Sequence, residues 1–238
     1  MSGVNEEFKE LDADLEKKLC DLWDITVERD VCQCLSEYNA LQIFEGYMRK
    51  FDSVYPRAIE ILMGIMGNMV MTSVDTSLKL VENKSFVHYL LFDILISMSD
   101  VQTVIQVTRL LSLFLMDWSD DQDEEEGTRL QQRKLVKEKF VAILKSIHKE
   151  EEEESEVNWQ ILVEKFFFIL EQSLNATLLD SAISFIFNLL DSDDQILEAL
   201  AGNSRLVDSI CLAALTRLRL DNAEKSAITS QYTQTDRR

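Results

Sequence analysis

The chain has 238 residues, of which 43 are acidic and 24 basic, so its formal charge is −19. That balance disfavours nucleic acid as a partner, because affinity there comes from neutralising phosphates with Lys and Arg. No uncharged apolar run is long enough to span a bilayer, so no membrane is expected either. One proline, six glycines and 46% hydrophobic residues, with no alternating strand pattern, point to an all-α fold with a sizeable core.

In chain order, residues 1–9 are polar and expected to be flexible, and a helical domain is expected over residues 10–220. An amphipathic helix is predicted from Glu10 to Asp24, with Leu11, Leu15, Leu19, Leu22 and Trp23 near one side. Val27–Tyr38 and Leu41–Phe51 follow as short helices that need packing to persist. Pro56 then opens a helix to Met71 that is apolar nearly all round, as in a helix buried on every side. Its Gly64 and Gly67 lie three apart on one face, where glycine costs helix stability and a close neighbour is the expected return.

A rhythm follows. Val74–Glu82 is a short helix ending at Asn83; Ser85 is read as the N-cap of Phe86–Met98, and Asp100 as the cap of Val101–Met116. Val101 lies 44 residues after Arg57, and a period of about 40–47 residues with two or three helices each is the armadillo/HEAT cadence. It returns in Trp159–Gln172, Leu174–Leu190, Asp194–Ala201 and, after a break at Gly202-Asn203 and a cap at Ser204, Leu206–Leu218. The expected fold is therefore an armadillo/HEAT-like α-solenoid, a right-handed superhelix of stacked helices. At its end Leu212, Leu215 and Leu218 are candidates for an exposed interface.

Two acidic insertions interrupt the rhythm, at residues 117–127 and 150–156. Asp120, Asp121, Asp123, Glu124, Glu125 and Glu126 in the first, and Glu151, Glu152, Glu153 and Glu154 in the second, are candidate contacts for a basic partner; such blocks repel themselves and stay solvated. Between them a basic helix, Thr128–Lys149, carries Leu130, Leu135, Phe140, Val141, Leu144 and Ile147, which could dock it. Residues 221–238 are expected to be a disordered polar tail. Its Thr233, Gln234 and Thr235 resemble the TQT core of the linear motif that adds a strand to the dynein light chain, making that protein a possible partner.

Catalytic chemistry is not signalled. The two histidines, His88 and His148, are on different helices, and there is no phosphate loop or nucleophile elbow. Cys20, Cys32, Cys34 and Cys211 have neither zinc nor disulfide spacing, so no metal and no cofactor is expected, and reduced thiols fit a nuclear or cytoplasmic protein. The sequons at Asn83 and Asn175 are then idle. More informative are Asn68 and Asn188, each near the end of an apolar helix in the third-helix position of the repeat, with Arg109 on the helix between. An asparagine there can bond both backbone groups of an extended peptide, or it can bond a neighbouring helix and fix packing.

The stretches ELDADLEKKLCDLWDITVERDV, LSEYNALQIFEGYM and RAIEILMGIMGNMV, above all Leu11, Cys20, Trp23, Asp24, Asp30, Val31, Asn39, Ile43, Phe44, Gly46, Gly64, Ile65, Gly67, Asn68 and Met69, resemble the family named after serum amyloid A-like protein 1. The resemblance covers about residues 9–71 and is weak after Met116. It implies an armadillo-like, non-enzymatic intracellular protein with relatives linked to cell proliferation, and it supplies no binding residues. Together these readings lead to the expectation of a protein-binding adaptor or scaffold for basic or extended segments, with Asn68, Arg109 and Asn188 lining a groove. The alternative is an acidic chaperone that shields basic proteins through its acidic loops.

Overall fold

The computed structural model describes residues 9–51, 55–116, 126–150, 159–201 and 204–235; every element among them is helical. The chain divides into two compact units, Met1–Leu162 and Val163–Arg238.

In the first unit α1 (Ala13–Ile25), α2 (Arg29–Glu37), α3 (Ala40–Phe51), α5 (Val74–Glu82) and α7 (Val101–Leu113) all pack against α4 (Pro56–Thr72). Every α4 residue from Ala58 to Val70 is buried, as its all-round apolar sequence requires. One of these is a carboxylate. Glu60 accepts from Arg57 at 2.7 Å, and Arg57 also donates to Glu16 of α1 at 2.7 Å. The two carboxylates, Glu60 foremost, push the Arg57 guanidinium above its ordinary value. A buried charge is tolerated when it is paired in this way.

The two glycines of α4 have different neighbours. A Cβ on Gly64 would collide with the indole of Trp23, the residue by which α1 settles onto α4. A Cβ on Gly67 would meet only Arg109 Nη1, at an ordinary 3.7 Å. Asn39, between α2 and α3, has φ 54°, a left-handed conformation that asparagine adopts more readily than most residues.

Side-chain caps set several helix starts. Asp12 accepts from Leu15 N–H at 3.1 Å, Ser73 from Thr76 N–H at 3.3 Å and Asp100 from Thr103 N–H at 2.7 Å. The cap after α5 differs from the expectation at Ser85. Asn83 accepts from Phe86 N–H at 3.1 Å and starts α6 (Lys84–His88), while Arg49 donates to Ser85 Oγ at 3.1 Å. From Tyr89 to Ile96 the helix widens to π geometry. Tyr89, Leu90, Leu91, Ile94 and Leu95 are all buried there.

The basic helix is α8 (Glu126–Glu150). Val136, Phe140, Ile143 and Leu144 form its buried stripe, with Val141 buried beside it and Phe140 tilted 5.3 Å from Phe114. Leu130 and Leu135, expected to dock, are 52% and 41% exposed. The stripe runs through positions 136, 140, 143 and 144, and Leu135, one residue before it, falls off that face.

The second unit is built from α9 (Trp159–Gln172, which enters it at Val163), α10 (Ala176–Leu190), α11 (Asp194–Ala201) and α12 (Ser204–Thr235). Phe166 and Phe185 stack at 5.0 Å between α9 and α10. Asn175 caps α10 by accepting from Leu178 N–H at 2.9 Å. Both sequon asparagines are thus helix caps. Arg205 ties α12 to α9: it donates to Glu164 at 2.8 Å and to Glu171 at 2.9 Å, and lies 4.7 Å from the Phe167 ring centroid. Arg217 donates to Asp180 of α10 at 2.9 Å.

The expected disordered tail from 221 is different. α12 continues to Thr235, and no glycine or proline, the two residues most costly inside a helix, follows Gly202.

Candidate functional site

The C-terminal half of α4 holds a polar cluster inside apolar surroundings. It begins at the C-cap of α1. Thr26, fully buried, donates its hydroxyl proton to the carbonyl of Trp23 at 2.6 Å, which leaves its oxygen to accept from Asn68 Nδ2 at 3.1 Å. The Thr26 carbonyl also accepts from the Cys32 thiol of α2 at 3.1 Å. Burial pushes that thiol up, so it stays protonated as a donor.

With its Nδ2 on Thr26, Asn68 turns Oδ1 toward α7. Arg109 Nη2 donates to it at 3.0 Å and lies 3.3 Å from Met71 Sδ, and Nη1 reaches Gln106 Oε1 at a weak 3.4 Å. All of these acceptors are neutral. In a chain with 43 carboxylates, Arg109 has no ion pair among the described residues. Its Nε has no acceptor there either. Partial burial pushes the guanidinium down from its ordinary value, yet arginine keeps its charge. The result is a half-buried cation positioned by an amide.

A second arginine meets the same helix end. Arg133 of α8 donates to the carbonyls of Val70 at 3.5 Å and Met71 at 3.3 Å. This places positive charge at the negative end of the α4 dipole.

The structure therefore brings Asn68 and Arg109 together. Asn68 is only 7% exposed, and both ends of its amide are engaged. The surface left for a ligand is Arg109's. Asn188 belongs to the second unit, half-buried near the end of α10. Asp120, Asp121, Asp123, Glu124 and Glu125 lie outside the described residues, as do Glu151, Glu152, Glu153 and Glu154. Glu126 begins α8. Thr233, Gln234 and Thr235 are the last residues of α12. A strand-adding motif must be extended, so this segment would have to unwind to dock in that way.

Thr26, Cys32, Gln106, Met71 and Arg133 were not signalled by sequence. Thr26 is the nearest to legible: a threonine three residues after Trp23 and just past a helical pattern is placed to bond back to the Trp23 carbonyl. Among the described residues no group of three or more His, Cys, Asp or Glu is placed to hold a metal, and no helix is long and apolar enough to cross a membrane.

Over 68 residues, 29% of its length, the chain is 43% identical to Protein SAAL1 of Homo sapiens, covering 14% of that protein. Over 109 residues, 46% of its length, it is 37% identical to Protein saal1 of Danio rerio, covering 22% of that protein. Over 101 residues, 42% of its length, it is 31% identical to Protein saal1 of Xenopus tropicalis, covering 21%. The matched region spans less than a quarter of each of these relatives. No family model and no solved structure matches the chain.

Proposed function

We propose, from the premise that this chain is a relative of the SAAL1 family, that it is a non-catalytic protein-binding scaffold built as an armadillo-like stack. The face beside the end of α4 and α7 receives an extended segment of another protein. The observation that carries this reading is Arg109, a half-buried guanidinium with neutral acceptors only and an unused Nε donor. Such a group gains most from a backbone carbonyl or carboxylate oxygen brought by a ligand, because a charge-assisted hydrogen bond is roughly twice as strong as a neutral one. Asn68 and Thr26 act behind it by holding the guanidinium in place.

The stacking reading is supported within the first unit. Long α4 and α7 lie against each other with short α5 and the α6–π segment between them in sequence. That order is compatible with the helix rhythm of armadillo arrays. The acidic insertions act at longer range, attracting basic flanks of the partner and losing that effect as salt rises. The setting is intracellular, nuclear or cytoplasmic, and the cell-proliferation link of the family extends to this chain.

The test compares the intact chain with Arg109→Gln, both checked for helicity by circular dichroism. Partners captured from extract by the intact chain are purified and their affinities measured. A loss of about tenfold or more, a cost of about 1.4 kcal/mol, is expected in the variant. Equal affinity of every partner for a folded Arg109→Gln protein would remove this face from recognition.

A further inference from the structure

The outer face of α12 carries an apolar stripe that packs on nothing in its own unit. Leu206, Ser209 and Ala213 are buried on its inner side. On the opposite side Val207, Cys211, Ala214, Leu215 and Leu218 are exposed, at spacings of four, three or four, and three or four residues. This is the repeat by which one helix seats on another. Val207, Leu215 and Leu218 are 58%, 54% and 58% exposed.

Along one flank of the stripe stand two exposed charges of opposite sign, Asp208 and Arg219. Neither has an ion-pair partner among the described residues. At 100° per residue they lie only about 20° apart around the helix, on the same side of the stripe and eleven residues apart.

We infer that α12 pairs with α12 of a second copy of this chain, antiparallel, about a two-fold axis at Ala213–Ala214. The charges select this occupant. A two-fold perpendicular to the helices keeps a flank on the same side in both copies and reverses its direction. With the axis midway between 213 and 214, position 208 meets position 219 of the other copy, and 219 meets 208. Two Asp208–Arg219 pairs form at once. In a parallel pairing the two-fold runs along the helices and carries this flank to opposite sides of the two copies, so Asp208 and Arg219 could not meet.

The same register interleaves the apolar layers. Leu215 of one copy meets the height of Leu212 in the other, and Leu218 falls between Val207 and Cys211. The small side chain of Ala214 at the axis lets the helices approach. An interface of this kind is isologous. A four-turn helix pair is small beside the roughly 1,600 Å² of a standard interface, so a reversible rather than a permanent dimer is expected.

The experiment is sedimentation equilibrium of the full chain over a concentration series, with helicity checked for each variant. A monomer–dimer equilibrium is expected. Leu215→Glu should remove the dimer, and Asp208→Arg should weaken it about tenfold or more by setting like charges against each other. The double change Asp208→Arg, Arg219→Asp should restore it. A chain monomeric at the highest concentration overturns the inference. So does a dimer indifferent to Leu215→Glu, or one that the charge swap fails to restore.

Discussion

The first unit buries one helix all round, although its outer helices keep exposed apolar residues such as Ile43 and Leu130; in the second, every helix keeps an exposed face. α4 is flanked by α1, α2, α3, α5 and α7 and buries every residue from Ala58 to Val70. In the second unit, Phe168 on α9 and Phe187 on α10 are 62% and 54% exposed, and α12 shows the stripe described above. The difference teaches what each unit is suited to do. A closed core can position polar groups in low dielectric, where Thr26, Asn68 and Arg109 interact strongly. Open apolar faces offer area to a partner but orient nothing by themselves.

The sharpest way to break this comparison is to truncate one apolar side chain in each unit. Ile65→Ala, at a fully buried site, should cost about 2–5 kcal/mol. Phe187→Ala should cost about 0.5 kcal/mol. Urea unfolding measures both, and equal losses would mean that the second unit is as tightly packed as the first.

A smaller effect separates two glycines of the same helix. Gly64→Ala drives a methyl into Trp23 and should destabilise by about 1–3 kcal/mol. Gly67→Ala places its methyl in ordinary contact with Arg109; it should be neutral or stabilise by up to about 1 kcal/mol through helix propensity. Thermal unfolding distinguishes them by the sign of the shift in Tm.

The smallest effect concerns what holds the open unit together. Arg205, then Ser209, donates to Glu171 and holds its carboxyl below the ordinary range. A folded value below the unfolded one stabilises above the unfolded pKa, about 4.3 for glutamate, and that stabilisation is lost as pH falls through the folded value. Glu171→Gln should therefore lower Tm at pH 6 and make progressively less difference below about pH 4. A gap between the two proteins that stayed constant with pH would detach this carboxylate from the stability of the unit.

How much could be read beforehand depended on how local the signal was. The helices were legible because apolar spacing and caps such as Asp100 act within one turn. Asn83, two residues before Ser85, caps α6, and Ser85 instead accepts from Arg49, 36 residues away in sequence. The helical continuation to Thr235 has no local signal of its own, because polar composition does not by itself distinguish a solvated helix from coil. In the candidate site, Asn68 and Arg109 stood out as polar residues among apolar ones, yet their mutual bond at 3.0 Å spans 41 positions and has no sequence signature.

The sequence by itself determined that this chain is helical and that α4 is its most buried helix, because periodicity is a local property; of the two glycines expected to mark close approach, only Gly64 does so. Only the tertiary structure decided which glycine faces Trp23 and which faces Arg109. It also decided that the Asn68 amide is engaged by Thr26 and Arg109, and that the α12 stripe faces outward. Each of these depends on which helix lies across from which, and that is settled by packing between segments far apart in the chain.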